Sequence, residues 1–400
     1  MFYRLPLLML FLAVPAVSGD ADTASWLPEP DGPYALGTET LYLTDSSRHE
    51  VATRDANDCR RLIVHIYYPA ELSDYAGEYR RYLDGYPEKT RKLARRFLDL
   101  PRDYFTESPV NVTVHARYRV QALDSAAPFP LVTVSHGYLS TPVVHTHLCE
   151  HLASHGYVVA AINHPYESSG AVFSDSSFVK PTMRYLRRAV FQAPQMPFLL
   201  CTKPGKRKAR LTRRVLKRSR AMNSRAQVWV RDIGYIIDIM DSLNTVPKGA
   251  SPLSHIIDID RIAAIGHSFG GAAAGFACSV DLRVRCAVNM DGFQYGAEPN
   301  ALYSGPVLLV ETDQFAGIND MVYRHADPFY RLHIEGARHT GLTDVSLWPD
   351  LPERQHRKRI GVTGIPGKVN GAVLAFIDHC LKEQPANAIE SLRENRTQHP

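Results

Sequence analysis

The sequence predicts an α/β fold with a mostly parallel central sheet flanked by helices. From Pro130 onwards, continuous apolar runs of strand length, such as "PLVTVS" and "YVVAAINHP", alternate with helical segments. Strands that are apolar on both faces are typical of a parallel sheet covered by helices on each side. At one corner, "IAAIGHSFGGAAAGFACS" passes from strand to helix through one serine between two glycines. We expect a catalytic residue at this corner.

The N-terminus has the pattern of a secretory signal. Arg4 precedes an apolar run from Leu5 to Val17, and the small residues Ser18 and Gly19 follow. Such a signal has charged, apolar and small-residue regions in this order. The run is short for a membrane-spanning helix, and the alternative to a cleaved signal is a retained membrane anchor. We expect a signal peptide over residues 1–19, a secreted or periplasmic protein, and one domain over residues 20–400.

The predicted elements follow in chain order. "RRLIVHIYYPA" predicts a strand from Leu62 to Tyr68 that stops at Pro69, and "EKTRKLARRFLDL" predicts a helix. The later strands and helices alternate, and they are "PLVTVS", "HLCEHLASHG", "YVVAAINHP", "AQVWVRDIGYIIDIMDSLN", "RIAAIG", "RCAVNMD", "PVLLVETD", "YRLHIEG" and "GKVNGAVLAFIDHCLKE". A polar and basic stretch at about residues 166–225 predicts an insertion that could cover the site.

The strand–G-x-S-x-G–helix pattern predicts a nucleophile elbow, the turn that carries the catalytic serine in α/β-hydrolases. Gly266 and Gly270 are needed because larger side chains would collide with the neighbouring strand and helix. The turn lifts the Ser268 hydroxyl above the sheet edge. It also points the helix N-terminus at the negative charge that forms on an ester. The alternative is a turn that only packs a helix on a strand.

A serine nucleophile needs a histidine base and an acid, which follow it in the order acid, histidine in this fold. His339 lies in "EGARHTG", directly after the last predicted strand, and is the expected base, whereas His333 lies inside a strand. Asp291 ends the strand after the elbow, and Glu311 and Asp313 end the next one. Spacing alone does not choose among these three acids.

Two backbone N–H groups are needed to bind the negatively charged oxygen of the intermediate. One is expected from Phe269, the residue after the nucleophile. The other is expected from Tyr138, in the loop of "VSHGYLST" after an earlier strand. Without the elbow, this second loop would be an ordinary glycine turn.

The series "PLVTVSHGYLST", "HLASHGYVVAAINHP", "IDRIAAIGHSFGGAAA", "RCAVNMDGF" and "HIEGARHTGLTD" resembles the platelet-activating factor acetylhydrolases of the plasma, lipoprotein-associated type. "GPYALGTETLYLTDSSR" and "IVHIYYPA" resemble bacterial members. The resemblance covers residues 33–70 and 128–380. It implies Ser268 as nucleophile, Asp291 as acid and His339 as base, with Tyr138 and Phe269 as oxyanion donors. Tyr138 replaces a leucine of the best-known members, which changes the pocket wall.

The basic charge is concentrated in one segment. The chain has 46 Lys and Arg against 41 Asp and Glu, a net charge of +5. Cys201–Arg220 contains ten of the basic residues and no acid, so the rest of the chain carries a net charge of −5. The cations of Lys203–Arg220, with the apolar "MPFLL" before them, indicate contact with an anionic membrane surface. The alternative is a solvated helix face or a mobile insertion. No nucleic-acid module surrounds them, and we expect no nucleic-acid partner.

The histidine and cysteine patterns do not indicate a metal site or a disulfide framework. His147 and His151 lie four residues apart in a predicted helix, a spacing that suits zinc, but no third ligand stands out and we expect no metal. Six cysteines permit disulfides in an exported protein, yet Cys149, Cys278 and Cys286 lie in apolar stretches where buried free thiols are expected. Asn111 and Asn395 begin glycosylation sequons, which matter only in a eukaryotic source.

The sequence therefore predicts a serine ester hydrolase that works through an acyl-enzyme without a cofactor. The resemblance implies short or oxidised acyl chains of phospholipids as substrate. One alternative is a general carboxylesterase or polyester hydrolase on the same fold. A more distant alternative is a non-catalytic surface-binding protein that uses the basic segment.

Overall fold

A computed structural model describes residues 25–71, 77–86, 88–105, 112–125, 127–296 and 301–394. The predicted signal peptide at residues 1–19 and the sequons at Asn111 and Asn395 lie outside these ranges.

The described residues form a large sheet with helices on both faces and an additional hairpin. The strands are β1 Ala35–His49, β2 Cys59–Ala70, β3 Tyr79–Arg81, β4 Thr113–Tyr118, β5 Phe129–Ser135, β6 Val158–Asn163, β7 Ala171–Val172, β8 Phe178–Val179, β9 Ile257–His267, β10 Val284–Met290, β11 Val307–Thr312 and β12 Phe329–Ile334. The helices are α1 Glu88–Leu98, α2 Thr146–Ser154, α3 Arg184–Gln192, α4 Met196–Leu200, α5 Lys206–Arg218, α6 Arg220–Asn244, α7 Phe269–Val280, α8 Glu353–Gln355 and α9 Ile365–Lys382.

The large sheet has ten strands in the order β12-β11-β10-β9-β5-β6-β2-β1-β4-β3. The six strands from β12 to β6 pair in parallel, whereas β2 pairs antiparallel with both β6 and β1. The prediction of a mostly parallel central sheet is confirmed. Because β9, which precedes the serine, is near the middle of the sheet, the elbow is supported by strands on both sides.

Two apolar clusters cover the two faces of the sheet. Side chains alternate between the faces of a strand: Val132 and Val134 of β5 pack in one cluster with α2 and α9. Leu131 of β5 packs in the other with Trp229 and Ile233 of α6. Every residue of β5, β6 and β11 is buried. This explains why these strands are continuous apolar runs.

Two strands differ from the prediction. β2 continues through Pro69, which pairs with Leu36 of β1. Proline fits there because its missing N–H is not needed, and its carbonyl accepts a 2.9 Å hydrogen bond from the N–H of Leu123. β1 was not predicted, because its outer half is exposed and polar and lacks a continuous apolar run.

Helix α9 is the central helix of one face. The described stretch Glu353–Lys382 is long and apolar enough to cross a membrane by length and composition. In the structure, however, Val373, Phe376 and Ile377 of α9 are fully buried against the sheet. These contacts are those of a core helix.

The stretch predicted as an insertion contains β7, β8 and α3 to α5. Helix α5 packs on the loop after β11: Thr212 Oγ1 donates to the carbonyl of Ile318 at 3.1 Å, and Lys208 Nζ donates to that of Ala316 at 2.6 Å. Val215 and Leu216 are buried in the same place. The basic segment is therefore an ordered helix with one buried face.

Candidate active site

Ser268 lies at a sharp turn between β9 and α7. Its backbone adopts φ 56° and ψ −120°, a left-handed conformation that a residue with a side chain rarely adopts. A Cβ on Gly266 would lie 2.2 Å from the carbonyl of Gly270, and one on Gly270 would lie 2.1 Å from the carbonyl oxygen of Ser135. Both glycines are therefore required by the close approach of helix and strands, as the sequence pattern predicts.

Two further loops pack against Ser268. A Cβ on Gly137 would lie 3.1 Å from the Cβ of Ser268, and one on Gly292 would lie 2.1 Å from its carbonyl oxygen. The N–H of Ser268 donates to the carbonyl of Met290 at 2.8 Å. The ends of β5, β9 and β10 thus meet around this serine.

Asp291 lies directly after β10, with a fully buried side chain. Its Oδ2 accepts a 2.7 Å hydrogen bond from the Nδ1 of His339. Its Oδ1 accepts from the backbone N–H of Thr312 at 2.8 Å and from the Thr312 hydroxyl at 3.1 Å. These bonds hold the carboxylate in one orientation, with one oxygen directed at the imidazole.

The other two candidate acids have different partners. Asp313 accepts from the Nε2 of His333 at 2.9 Å and from the N–H of Gly336 at 3.0 Å. Glu311 forms an ion pair of 2.7 Å with Arg331. Among the described acids, Asp291 is the one that forms a hydrogen bond with His339.

His339 begins a short 3₁₀ turn after β12. Its ring stacks on Phe315 with centroids 4.9 Å apart, and its carbonyl oxygen lies 3.0 Å from the Nε2 of His267. Ser268 and His339 line the same cavity. No hydrogen bond joins their side chains among the described contacts. Such catalytic bonds are often long without substrate and tighten when it binds.

The two predicted oxyanion donors flank Ser268. Phe269 is the first residue of α7, where N–H groups have no partner within the helix. Tyr138 follows Gly137, and the left-handed Leu139 turns the loop so that its own N–H donates to the carbonyl of Glu167 at 2.6 Å. In the described part of the chain, the N–H groups of Tyr138 and Phe269 donate to no protein group. They remain available to a substrate oxygen.

A buried polar network that the sequence analysis missed lies beneath this loop. Asp232 of α6 accepts from the Nδ1 of His164 at 2.8 Å and from Nη2 of Arg60 at 2.6 Å. The backbone N–H of His164 donates to the Nε2 of His136 at 3.2 Å, and the ring Nδ1 of His136 donates to the carbonyl of Gly137 at 2.7 Å. The network thus fixes the loop that presents Tyr138. Its signal in the sequence was a histidine directly after each of two apolar strands.

Burial keeps the histidines around the site neutral. It lowers the pKa of His145 and of His164 to about 4, although Asp232 partly opposes the shift for His164. It also lowers the pKa values of His136 and His267 well below the ordinary value. These imidazoles therefore add no positive charge beside His339 at neutral pH.

A cavity of about 1160 Å³ opens above Ser268. Its walls include apolar side chains from several elements, among them Leu83, Leu98, Phe105, Val143, Val144, Phe315 and Trp348. Eight of the described residues that line it are Lys or Arg and none is Asp or Glu. These eight form what we call the cationic rim, namely Lys89, Arg91, Lys92, Arg96, Lys180, Arg338, Lys358 and Arg359.

His147 and His151, whose spacing suits zinc, have different partners in the structure. The Nδ1 of His147 lies 3.2 Å from the Nδ2 of Asn370. The Nδ1 of His151 lies 2.9 Å from Asp31, close to His155. The described lining of the cavity does not include Asp31, His151 or His155. The six cysteines are unpaired, and Cys149, Cys278 and Cys286 are buried as expected.

Residues 20–350 match the family model described as platelet-activating factor acetylhydrolase, isoform II. The chain belongs to this family. It is 24% identical over 337 residues to the platelet-activating factor acetylhydrolase of Cavia porcellus, covering 80% of this chain and 69% of that one. The Canis lupus familiaris protein of the same name is 26% identical over 307 residues, covering 73% of this chain and 61% of that one.

Two more distant similarities agree with an esterase fold. A probable 1-alkyl-2-acetylglycerophosphocholine esterase of Arthroderma benhamiae is 22% identical over 303 residues, covering 74% of this chain and 66% of that one. A ferulic acid esterase from Streptomyces cinnamoneus superposes with a TM-score of 0.66 at 23% identity, covering 91% of this chain and 95% of that one. The superposition shows that this chain shares the α/β fold of that esterase.

Proposed function

We propose that this member of the acetylhydrolase family cleaves carboxylic esters with Ser268 as nucleophile, His339 as base and Asp291 as acid. The observation that carries the proposal is the 2.7 Å hydrogen bond from His339 to the buried Asp291, beside the cavity that also contains Ser268. The left-handed backbone of the elbow exposes the serine where a substrate can reach it.

The reaction proceeds in two halves. The Ser268 oxygen attacks the ester carbonyl while Nε2 of His339 takes its proton, and Asp291 stabilises the imidazolium. The N–H groups of Phe269 and Tyr138 bind the oxyanion. The protonated His339 then gives its proton to the leaving alcohol, which leaves an acyl-enzyme. Water attacks this ester, His339 accepts a proton from the water and returns it to Ser268, and the acid is released.

For the substrate we propose phospholipids with short or oxidised acyl chains. The names of the curated relatives support this class, and the apolar walls of the cavity suit an acyl chain. A general carboxylesterase or polyester hydrolase is the second candidate, favoured by the superposition on a ferulic acid esterase. Tyr138 lines the cavity and its ring packs edge-on against Phe269 at 5.6 Å, so it narrows the acyl site next to the oxyanion donors.

A panel of esters separates the two candidates. The panel contains p-nitrophenyl esters of graded chain length, methyl ferulate, and phosphatidylcholines with acetyl, hexanoyl or palmitoyl chains at the second position. We expect short-chain phosphatidylcholine to be cleaved with a higher kcat/KM than methyl ferulate. The reverse order would favour the general esterase, and Ser268→Ala should remove all of these activities.

We also propose that the protein is exported, because residues 1–19 have the pattern of a cleaved signal. Expression in a host with a secretory pathway, followed by N-terminal sequencing of the exported protein, tests this. We expect an N-terminus near Asp20. An intact Met1 on protein retained in the cytoplasm would contradict the proposal.

We further propose that Lys203–Arg220 brings the enzyme to anionic lipid surfaces. Nine of its ten cations are exposed, and Lys208 is the buried exception. Large apolar side chains are exposed on the neighbouring α3 and α4: Phe191 is 88% exposed and Phe198 is 50% exposed. Met183, just before α3, is exposed and also lines the cavity. An apolar surface flanked by cations therefore adjoins the cavity mouth.

A further inference from the structure

The fold concentrates positive charge at the cavity, in the cationic rim. The chain as a whole has nearly equal numbers of basic and acidic residues, 46 against 41. The described lining of the cavity has eight against none. The rim residues come from four separate parts of the sequence, so a single basic run does not explain their convergence.

Tertiary contacts connect these separate parts of the chain. Lys89 of α1 lies 5.9 Å from the ring of Phe178, next to Lys180. The end of α1 is tied to α8, because Gln355 Nε2 donates to Asp99 Oδ2 at 3.0 Å. The π-helix His356–Ile360 that follows α8 is tied to the site, because the N–H of Arg338 donates to the carbonyl of Ile360 at 2.8 Å.

Two acids close in sequence to rim residues are paired with cations, one of which belongs to the rim. Glu88 forms an exposed ion pair with Lys92 at 2.8 Å, and Glu353 forms one with Arg357. Within the described chain, neither acid lines the cavity. Several rim cations are exposed to the cavity mouth, including Lys89, Arg96 and Lys180.

We infer that the cavity prefers ester substrates that carry an anionic phosphate or carboxylate group, held by the cationic rim, over neutral or zwitterionic esters. The inference rests on the proposed ester hydrolysis at Ser268. Lys and Arg donate charge-assisted hydrogen bonds to phosphate and carboxylate oxygens. The ammonium group of a choline head would be repelled by the same cations. The apolar walls then receive the acyl chain. Arg338, directly before His339 in the chain, places one cation beside the proposed base.

Two matched substrate pairs test this preference and locate the anion. Mono-p-nitrophenyl glutarate against p-nitrophenyl pentanoate places the charge at the end of the acyl chain. Dihexanoyl-phosphatidylglycerol against dihexanoyl-phosphatidylcholine, both below their micelle concentrations, places it in the head group. We expect the anionic member of at least one pair to have a kcat/KM about tenfold higher at low salt, with the ratio falling as salt rises.

Two charge-matched variants show whether the rim is responsible. The rim variant changes four exposed rim cations to Gln, namely Lys89, Arg96, Lys180 and Lys358. The control variant changes four exposed cations that do not line the cavity, namely Arg54, Arg231, Lys248 and Lys368. We expect the anionic preference to fall about tenfold in the rim variant and to stay within twofold in the control. Ratios near one in the wild type, or equal loss in both variants, would overturn the inference.

Failure of the proposed hydrolysis can be told apart from failure of the anion site. If the wild type cleaves neutral esters but shows no preference, only the anion site is refuted. If it cleaves no ester, ligand binding is measured instead of turnover. Trp348 lines the cavity, so tryptophan fluorescence reports whether a ligand occupies the cavity. Dihexanoyl-phosphatidylglycerol should then bind about tenfold more tightly than dihexanoyl-phosphatidylcholine, and equal affinities would refute the site.

Discussion

Single residues of the site are held by backbone geometry as much as by their side chains. Both Ser268 and Asp291 have positive φ angles, 56° and 57°. Such conformations cost free energy in residues with side chains and persist only where the surroundings enforce them. Here Gly266, Gly270 and Gly292 allow that packing. The result is a serine and an aspartate at the ends of adjacent strands, each with one fixed direction.

Replacing each candidate acid by its amide ranks them. Asp291→Asn should lower kcat about 10³- to 10⁴-fold, because the imidazole of His339 loses the charge that orients it. Asp313→Asn is the matched control, since Asp313 contacts His333 instead, and it should change kcat less than about fivefold. Steady-state assays on one soluble ester measure both. The reverse ranking would show that the acid follows β11.

At the scale of elements, a buried ion pair ties β2 to α6, and the histidine network ties the ends of β5 and β6 to the same helix. Arg60 and Asp232 are almost fully buried, and their ion pair forms the base of the histidine network below the Tyr138 loop. Removing one member of a buried pair leaves an uncompensated charge, which is more costly than the pair itself was favourable.

Asp232→Asn should therefore lower the free energy of unfolding by about 3–5 kcal/mol, because Arg60 would remain buried without its main partner. Asp241→Asn, an exposed site on the same helix, should change it by less than about 0.5 kcal/mol. Urea denaturation followed by circular dichroism measures both. Equal effects in the two variants would mean that the buried pair does not stabilise the folded protein.

Helix α5 is the element on which the membrane proposal depends. Changing Arg213, Arg214, Lys217 and Arg218 to Gln should weaken binding to vesicles containing anionic lipid, since each cation near such a surface contributes about 1 kcal/mol. The wild-type binding should weaken as salt increases. Vesicle sedimentation measures binding, and a soluble-ester assay serves as the control for folding.

Equal vesicle binding by this variant and the wild type would contradict the membrane role. Loss of soluble-ester turnover would instead assign a structural role to α5, which packs on the loop after β11 through Thr212.

At the scale of the whole molecule, burial of ionisable groups sets the pH range of stability. Burial lowers the pKa of His145, His147 and His164 to about 4, so the unfolded chain binds more protons as the pH falls below 6.5. Burial raises the pKa of Asp344 to about 8, which acts in the opposite sense: its destabilising effect grows as the pH rises from 4 to 8.

Stability should therefore be highest near pH 6.5 and fall towards pH 4.5, where these three histidines, together with His136 and His267, outweigh Asp344. Each buried histidine contributes up to about 1.4 kcal/mol per pH unit in this range. His145→Gln should make the acid side of the profile shallower by about that amount. Urea denaturation at intervals of half a pH unit measures this, and identical slopes in the two proteins would refute the assignment.

How far the sequence predicts this molecule depends on the range of the interactions. The parallel sheet follows from local apolar runs such as β5 and β6, and the elbow from the glycines around Ser268. The acid could not be chosen by spacing, because Asp291, Glu311 and Asp313 all end strands, and only the pairing of β10 with β11 decides which reaches His339. A histidine after each of two apolar strands hints at the Asp232 network, but its partners lie up to 172 positions apart, and the cationic rim draws on four separate parts of the chain, so no local pattern shows which residues meet.

The central claim is that Ser268 is an activated nucleophile, and covalent labelling tests it most directly. The protein is treated with a fluorophosphonate probe at neutral pH, digested, and the modified peptide is sequenced by mass spectrometry. We predict a single adduct on Ser268, absent from Ser268→Ala and formed at least 10²-fold more slowly in Asp291→Asn. An adduct on another serine, or no adduct on the folded wild-type protein, would contradict the claim.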